Sequence, residues 1–157
     1  MVFLKPDYRR GGSTNPTELA DRIIGYISRN PFGIDIQYVL DIGTGNGYLV
    51  KRFLSNGMFA YGVDLRNFHQ YNLINADVRQ LPFKDESFDL VTELFCLADM
   101  REIQCLSIDE QRRAIFEVHR VLRGGGVFIT VPRTVYALDF FEIKKIYQDD
   151  IWGMYRK

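Results

Sequence analysis

Three aspartates and three glycines carry the chemistry this sequence can do. Asp41 opens the run Asp41-Ile42-Gly43-Thr44-Gly45-Asn46-Gly47, in which glycine recurs at every second position. Lacking Cβ, these residues can take positive φ and let a ligand lie against bare backbone N–H groups. Asp64 closes a second apolar, β-favouring run, and Asp77 stands just past a third. If the runs are neighbouring parallel strands, the carboxylates share one rim beside the glycine turn, where open α/β sheets bind ligands. An acid after the second strand is placed to accept two ribose hydroxyls, each charge-assisted bond worth about 1.5–3 kcal/mol. A ligand with a cationic head, a ribose and an adenine suits such a rim, whereas a polyphosphate is repelled by it.

The glycine spacing narrows the choice. A dinucleotide fingerprint spaces its glycines G-x-G-x-x-G, but here the third comes one residue early and Tyr48 stands where the last would be. No Gly-Lys-Ser/Thr follows, so the phosphate loop of nucleotide hydrolases is absent. By itself the turn is equally a tight strand-to-helix connection. Taken singly, the acids also have plain structural readings: Asp41 as a cap on the turn, Asp64 as a solvated strand-end residue, Asp77 as an Asx-turn before Val78.

The elements that must position these residues are legible around them. Strands are expected over 38–42, 59–64, near 72–75, over 88–92 and over 127–131, the last apolar and β-branched as a strand buried on both faces should be. Asn15-Pro16-Thr17-Glu18 supplies an N-cap, a first-turn proline and an acid, and Leu19, Ala20, Ile23, Ile24 and Ile27 form one helical face before Asn30-Pro31. A second helix buries Leu49, Val50, Phe53 and Leu54, and Asn56-Gly57 ends it. Ser107-Ile108-Asp109-Glu110 is a capping box for a third, whose face continues through Ile115, Val118 and Leu122 and is expected to stop at Gly124-Gly125-Gly126. Between the second and third strands only about one helical turn fits, because a parallel crossover normally takes about a dozen residues. Residues 140–147 and 151–155 flank Gln148-Asp149-Asp150 as an antiparallel hairpin at a sheet edge, with a helix over 138–147 as the alternative. The alternation of β and α segments predicts an α/β, doubly wound domain.

The 157 residues fit one domain over 15–157, preceded by an arm over 1–14 that is flexible by default and otherwise a flap ordering over a ligand. Lys plus Arg and Asp plus Glu are equal at 20 each, which excludes a global basic field for nonspecific nucleic-acid binding. Cys96 and Cys105 have no matching Cys/His set, so no metal site is expected and both read as reduced core residues. No apolar run approaches the roughly 18 residues of a membrane span and no signal-peptide pattern opens the chain, which reads as cytoplasmic and soluble.

Four segments, 39–49 (VLDIGTGNGYL), 61–66 (YGVDLR), 75–97 (NADVRQLPFKDESFDLVTELFCL) and 118–132 (VHRVLRGGGVFITVP), resemble in order the class I S-adenosylmethionine-dependent methyltransferases, nearest the small-molecule and quinone-type group. The L-P-F-x-D-x-S-F-D run is the most specific of them. The resemblance implies a Rossmann-like methyltransferase fold with a mostly parallel seven-stranded sheet, helices on both faces and a C-terminal antiparallel hairpin, and S-adenosyl-L-methionine as cofactor. It places Asp41, Gly43, Thr44 and Gly45 around the methionine part, Asp64 on the ribose hydroxyls and Leu65 on the adenine. It places Asp77 at the adenine amino group beside Val78, with Glu93 and Leu94 facing the cofactor and the acceptor.

Glu93-Leu94-Phe95-Cys96 departs from the Asn/Asp-Pro-Pro-Tyr/Phe signature of enzymes that methylate planar amino nitrogens, which disfavours DNA adenine and glutamine side chains. The acceptor, small molecule or macromolecule, is therefore unidentified. If it must lose a proton, Glu93, Tyr8 or His69 are the candidate bases, though each also has a plain structural reading, and His119 reads as a surface or packing residue. Short segments after the fourth and fifth strands leave little material for a closed pocket. The acceptor site is accordingly expected to be open, covered by the Tyr8-Arg9-Arg10 arm, or completed by a homodimer mate or partner subunit. A noncatalytic S-adenosylmethionine-binding subunit is the alternative reading.

Overall fold

The structure is a computed structural model that describes residues 16–30, 33–67, 70, 72–94, 96–97, 106–131, 147–148 and 153–157. Among the described residues three helices, α1 (Pro16–Ile27), α2 (Tyr48–Ser55) and α3 (Ile108–Val121), are interspersed with strands β1 (Tyr38–Ile42), β2 (Phe59–Asp64), β3 (Leu73–Asn75), β4 (Phe88–Leu94) and β5 (Leu122–Val131). The short strands β6 (Tyr147–Gln148) and β7 (Gly153–Arg156) follow. Among the described residues the strands form one seven-stranded sheet in the order β3-β2-β1-β4-β5-β7-β6. Strands β1 to β5 pair in parallel, and β7 pairs antiparallel with both β5 and β6. Strand order reverses at β1, whose two neighbours are β2 and β4, so the crevice for a ligand lies outside the carboxyl ends of these strands.

Two apolar layers sandwich the sheet because successive strand residues point to opposite faces. Val39, Leu90, Ile129 and Met154 pack under Ala20, Ile23, Ile24 and Ile27 of α1 and Leu49, Val50 and Phe53 of α2. On the other face Leu40, Ile42, Val91 and Phe128 pack under Ala114, Ile115, Val118 and Val121 of α3. The i, i+3, i+4 spacing of those helical residues is what turns one stripe of each helix to the sheet. The capping box of α3 forms as expected: Ser107 Oγ accepts from the Glu110 amide at 3.3 Å, and Glu110 Oε2 accepts from the Ser107 amide at 2.9 Å.

The C-terminus of α3 departs from expectation. The helix stops at Val121, and the residue expected to lie on its face, Leu122, already has extended backbone and pairs with Phe88 of β4. Gly124, Gly125 and Gly126 therefore lie inside β5, where the register jumps between the Phe88–Leu122 and Leu90–Val127 pairs. Gly125 has φ +82°, and a Cβ on Gly126 would stand 2.9 Å from the Arg123 carbonyl oxygen, so the bulge needs glycine for reasons unrelated to helix capping. The hairpin expectation is met by β6 and β7. Residues 1–14, with the expected arm, and 138–146, with most of the alternative helix, lie outside the described residues. No helix is found in the described part of 65–72, in keeping with the short crossover.

Candidate cofactor-binding site

The turn after β1 is tied to β2 by its backbone. The amides of Gly43 and Thr44 both donate to the Val63 carbonyl, at 2.8 and 3.1 Å. Gly43 has φ +67°, and a Cβ there would stand 2.3 Å from Cys96 Cβ, so the segment leaving β4 packs directly on the bare turn.

Asp41 lies almost entirely under this turn, 4% exposed. Register pairs it with Thr92 of β4, which puts the two side chains on one face, and Thr92 Oγ1 donates to Asp41 Oδ1 at 2.7 Å. Burial pushes the Asp41 carboxyl up to about 6, partly opposed by that hydrogen bond. Thr44 Oγ1 also lies close enough to this carboxylate to help lower its pKa, yet it is buried and among the described residues makes no hydrogen bond of good geometry. An orphaned buried hydroxyl at a glycine turn is a polar group waiting for a ligand or a water.

Asp64, at the end of β2, reaches back to the turn. Its Oδ2 accepts from the Gly45 amide at 2.9 Å, and its Oδ1 accepts from the Arg66 amide at 2.9 Å and Arg66 Nε at 3.2 Å. Burial acts to raise this carboxyl, but the bonds from Arg66 and Gly45 outweigh it and hold Asp64 below the ordinary carboxylate range. Asp77, past β3, has the same local construction. Arg79 donates its amide to Oδ1 at 2.8 Å and its Nε to both oxygens at 2.9 Å, and its far end reaches Glu110 at the start of α3. The Arg79 side chain is the main reason the Asp77 carboxyl is depressed. Leu65 is 68% exposed, an open apolar platform between these acids, and Val78 is buried in the core layer under α3.

Glu93 lies elsewhere than expected. One residue after Thr92, it points to the opposite face, the one covered by α3, and is fully buried. Its register partner Thr130 donates to Oε2, while the Cys96 and Leu97 amides donate to Oε1 at 2.6 and 2.9 Å. Burial pushes this carboxyl up to about 7. Glu93 thus holds the segment leaving β4 in place and presents no oxygen to the rim. Leu94 is half-buried against the α1 and α2 layer. His119, in the last turn of α3, has its imidazole pKa lowered by burial and by Lys157. Tyr8 and His69 lie outside the described residues.

The structure brings Asp41, Gly43, Thr44, Gly45 and Asp64 into one connected cluster, with Asp77 on the neighbouring strand end. The residue that sequence reading missed is Cys96, at the centre. Burial pushes its thiol up to about 12, and Glu93, Asp64, Asp41 and Asp77 all add to that rise. The thiol is therefore held protonated, in a locally negative environment. Among the described residues no group of His, Cys, Asp and Glu is arranged to hold a metal ion.

A doubly wound sheet with a glycine turn after β1 and acids past the next two strands defines a Rossmann-like domain. The chain belongs to the methyltransferase domain family, whose pattern matches residues 40–130. It is 31% identical over 131 residues to an uncharacterized protein of Methanocaldococcus jannaschii, covering 78% of this chain and 45% of that one. To the ubiquinone/menaquinone biosynthesis C-methyltransferase UbiE of Vibrio campbellii it is 28% identical over 129 residues, covering 71% and 46%. The chain thus spans about half the length of these curated relatives. Among solved structures, the PH0226 protein of Pyrococcus horikoshii OT3 superimposes with a TM-score of 0.68 at 17% identity, covering 98% of this chain and 92% of that one. The [4+2]-cyclase SpnF superimposes at 0.54 with 23% identity, covering 73% and 47%, which shows that the fold alone does not fix the reaction.

Proposed function

We propose that the chain is an S-adenosyl-L-methionine-dependent methyltransferase whose cofactor lies over the glycine turn. The observation that carries this reading is the junction of the turn with Asp64, through the Gly45 amide, beneath a rim of carboxylates. Asp64 would hold the ribose hydroxyls, Leu65 would cover the adenine, Asp77 and Val78 would flank its amino edge, and Asp41, Gly43 and Thr44 would surround the methionine part. The orphaned Thr44 hydroxyl and the surplus of negative charge fit a ligand with polar ends and a cationic centre. S-adenosylmethionine supplies a methyl group already activated by the positive charge on its sulfur.

What remains for the protein is to orient the reactants and exclude water, which can contribute about 7–11 kcal/mol to a displacement between well-placed groups. Burial of Glu93 leaves that task without a base from the end of β4. This favours acceptors that need no strong base, or a base supplied by the arm over 1–14 or by a partner subunit. The C-methyltransferase named among the relatives makes an electron-rich ring carbon one acceptor class to try. No helix among the described residues is long and apolar enough to cross a membrane.

Incubation of the purified protein with methyl-tritiated S-adenosylmethionine and a cell extract tests the proposal. Label is expected in an extract component in a protein-dependent manner. Binding of the cofactor with no transfer, alone or with proteins recovered by pull-down, would favour a noncatalytic subunit instead. Removal of residues 1–12 is expected to weaken cofactor or acceptor binding if the arm is a flap, and unchanged affinity and turnover would contradict that role.

A further inference from the structure

The carboxylates near the glycine turn are of two kinds. Asp64 and Asp77 each carry an ion-paired arginine, Arg66 and Arg79. Asp41 and Glu93 carry no such partner among the described residues, although they are the more deeply buried, Asp41 at 4% exposure and Glu93 at 0%. Neutral donors hold them instead: the Thr92 hydroxyl on Asp41, and the Thr130 hydroxyl with the Cys96 and Leu97 amides on Glu93. A buried carboxylate ordinarily has a countercharge or takes up a proton. With no countercharge, burial pushes Asp41 up to about 6 and Glu93 up to about 7, and Asp41 adds to the rise at Glu93.

The two acids approach the turn from opposite faces of the sheet. Asp41 is in register with Thr92, and Ile42 with Glu93, so the side chains of Asp41 and Glu93 belong to different layers. Both charges reach Cys96, which packs on Gly43 and whose thiol is raised by each of them. Around the pair, β2 contributes Asp64 with Arg66, the segment past β3 contributes Asp77 with Arg79, and β5 contributes the neutral Thr130. The buried layers under the helices are apolar, so little there screens the pair. A second observation points to a ligand at the same place. The Thr44 hydroxyl, at the turn and beside Asp41, is buried and makes no hydrogen bond of good geometry.

We propose that Asp41 and Glu93 hold a proton between them that a cationic cofactor drives off, so that the pair separates S-adenosylmethionine from its demethylated product. This rests on the reading of the turn as an S-adenosylmethionine site. The two ligands differ by one charge: S-adenosylmethionine carries a sulfonium, and S-adenosylhomocysteine a neutral thioether. When the sulfonium enters, a carboxyl O–H of the pair ionises, its proton passes to solvent, and the carboxylate left behind supplies the missing countercharge through the low-dielectric interior. Once the methyl group has left, the sulfur is neutral and the carboxylate takes a proton back from solvent. The same pair thereby favours retention of the charged cofactor and release of the uncharged product. Because the two acids are coupled, the proton belongs to the pair rather than to either residue.

Calorimetric titration of each ligand in buffers of different ionisation enthalpy counts the protons exchanged on binding, and repeating it between about pH 5.5 and about pH 7.5 tests the proposal. S-adenosylmethionine is expected to release about half a proton more than S-adenosylhomocysteine across this range. By linkage, the ratio of their affinities then shifts about tenfold in favour of S-adenosylmethionine as pH rises through it. Asp41→Asn and Glu93→Gln cannot ionise and keep an acceptor for Thr92 or Thr130, so each should reduce the excess release; unfolding midpoints establish that both are folded. Equal proton exchange for the two ligands, or an undiminished excess in both variants, would overturn the proposal and leave the cofactor site standing. If neither ligand binds wild type at any pH, the cofactor reading itself fails and this inference falls with it.

Discussion

The Gly45 amide donates to Asp64 Oδ2 at 2.9 Å, and this one bond joins the turn that follows β1 to the acid that ends β2. The two residues are 19 apart in sequence and meet because β1 and β2 pair in parallel, with Ile42 beside Val63. Asp64 is thereby aimed before any ligand arrives, so its ordering costs nothing at the moment of binding.

Gly43→Ala should lower stability by about 1–3 kcal/mol, because the backbone sits at φ +67° and the new methyl would run into Cys96. Urea denaturation measures the loss. Binding of S-adenosylhomocysteine should fall with it, since the segment leaving β4 must back away from the turn. A variant as stable as wild type would show that the turn adapts and that the contact with Cys96 is not a constraint.

Stability should fall as pH rises from about 5 to about 8. The folded protein holds Asp41 protonated up to about 6, against 3.8 ordinarily, and Glu93 up to about 7, against 4.5. Between the ordinary and the raised values the folded state binds more protons than the unfolded one, so each group's contribution is complete below its ordinary value and is lost as pH climbs through the raised one. The combined effect is of the order of a few kcal/mol. Asp64 and Asp77 act oppositely, being depressed, but their contribution is lost only as pH falls below the ordinary carboxylate range. Glu93→Gln keeps acceptors for the Cys96 and Leu97 amides and cannot ionise, so it should flatten the upper part of the curve and be more stable than wild type at pH 8. A wild-type profile that is level between pH 5 and 8 would contradict both raised values.

Thr92→Val keeps the shape of a fully buried side chain and removes the donor to Asp41. Leaving that carboxyl without its hydrogen bond should cost about 1–3 kcal/mol at neutral pH and move the Asp41 part of the pH profile upward. A cost below about 0.5 kcal/mol in denaturant titration would mean that Asp41 finds another partner, with Thr44 the nearest candidate.

Much of the fold could be read from the chain because local signals agreed with the tertiary outcome. The runs ending at Ile42, Asp64 and Asn75 became adjacent parallel strands, and Ser107 with Glu110 marked the start of α3. The end of α3 could not be read, because glycines that look like a helix stop serve a bulge opposite Asp89, a contact between segments remote in sequence. The orientation of Glu93 was also hidden. β4 is buried on both faces, so no alternation told which of Thr92 and Glu93 points to which layer. The pairing of Asp64 with Arg66 and Asp77 with Arg79 did leave a signal, the repeated Asp-x-Arg spacing, which fixes an Asx-turn and brings the cation back over the acid. The central place of Cys96 left none, since it arises from the packing of the β4 exit on Gly43.

The central claim is that Asp64 and the glycine turn form an adenosine-type cofactor site, and calorimetric titration of S-adenosylmethionine and S-adenosylhomocysteine into wild type and Asp64→Ala tests it most directly. Both ligands should bind wild type, and Asp64→Ala should lose about tenfold to a hundredfold in affinity while remaining folded, as expected for losing charge-assisted bonds to two hydroxyls. Absence of binding to wild type, or equal binding to Asp64→Ala, would contradict the account.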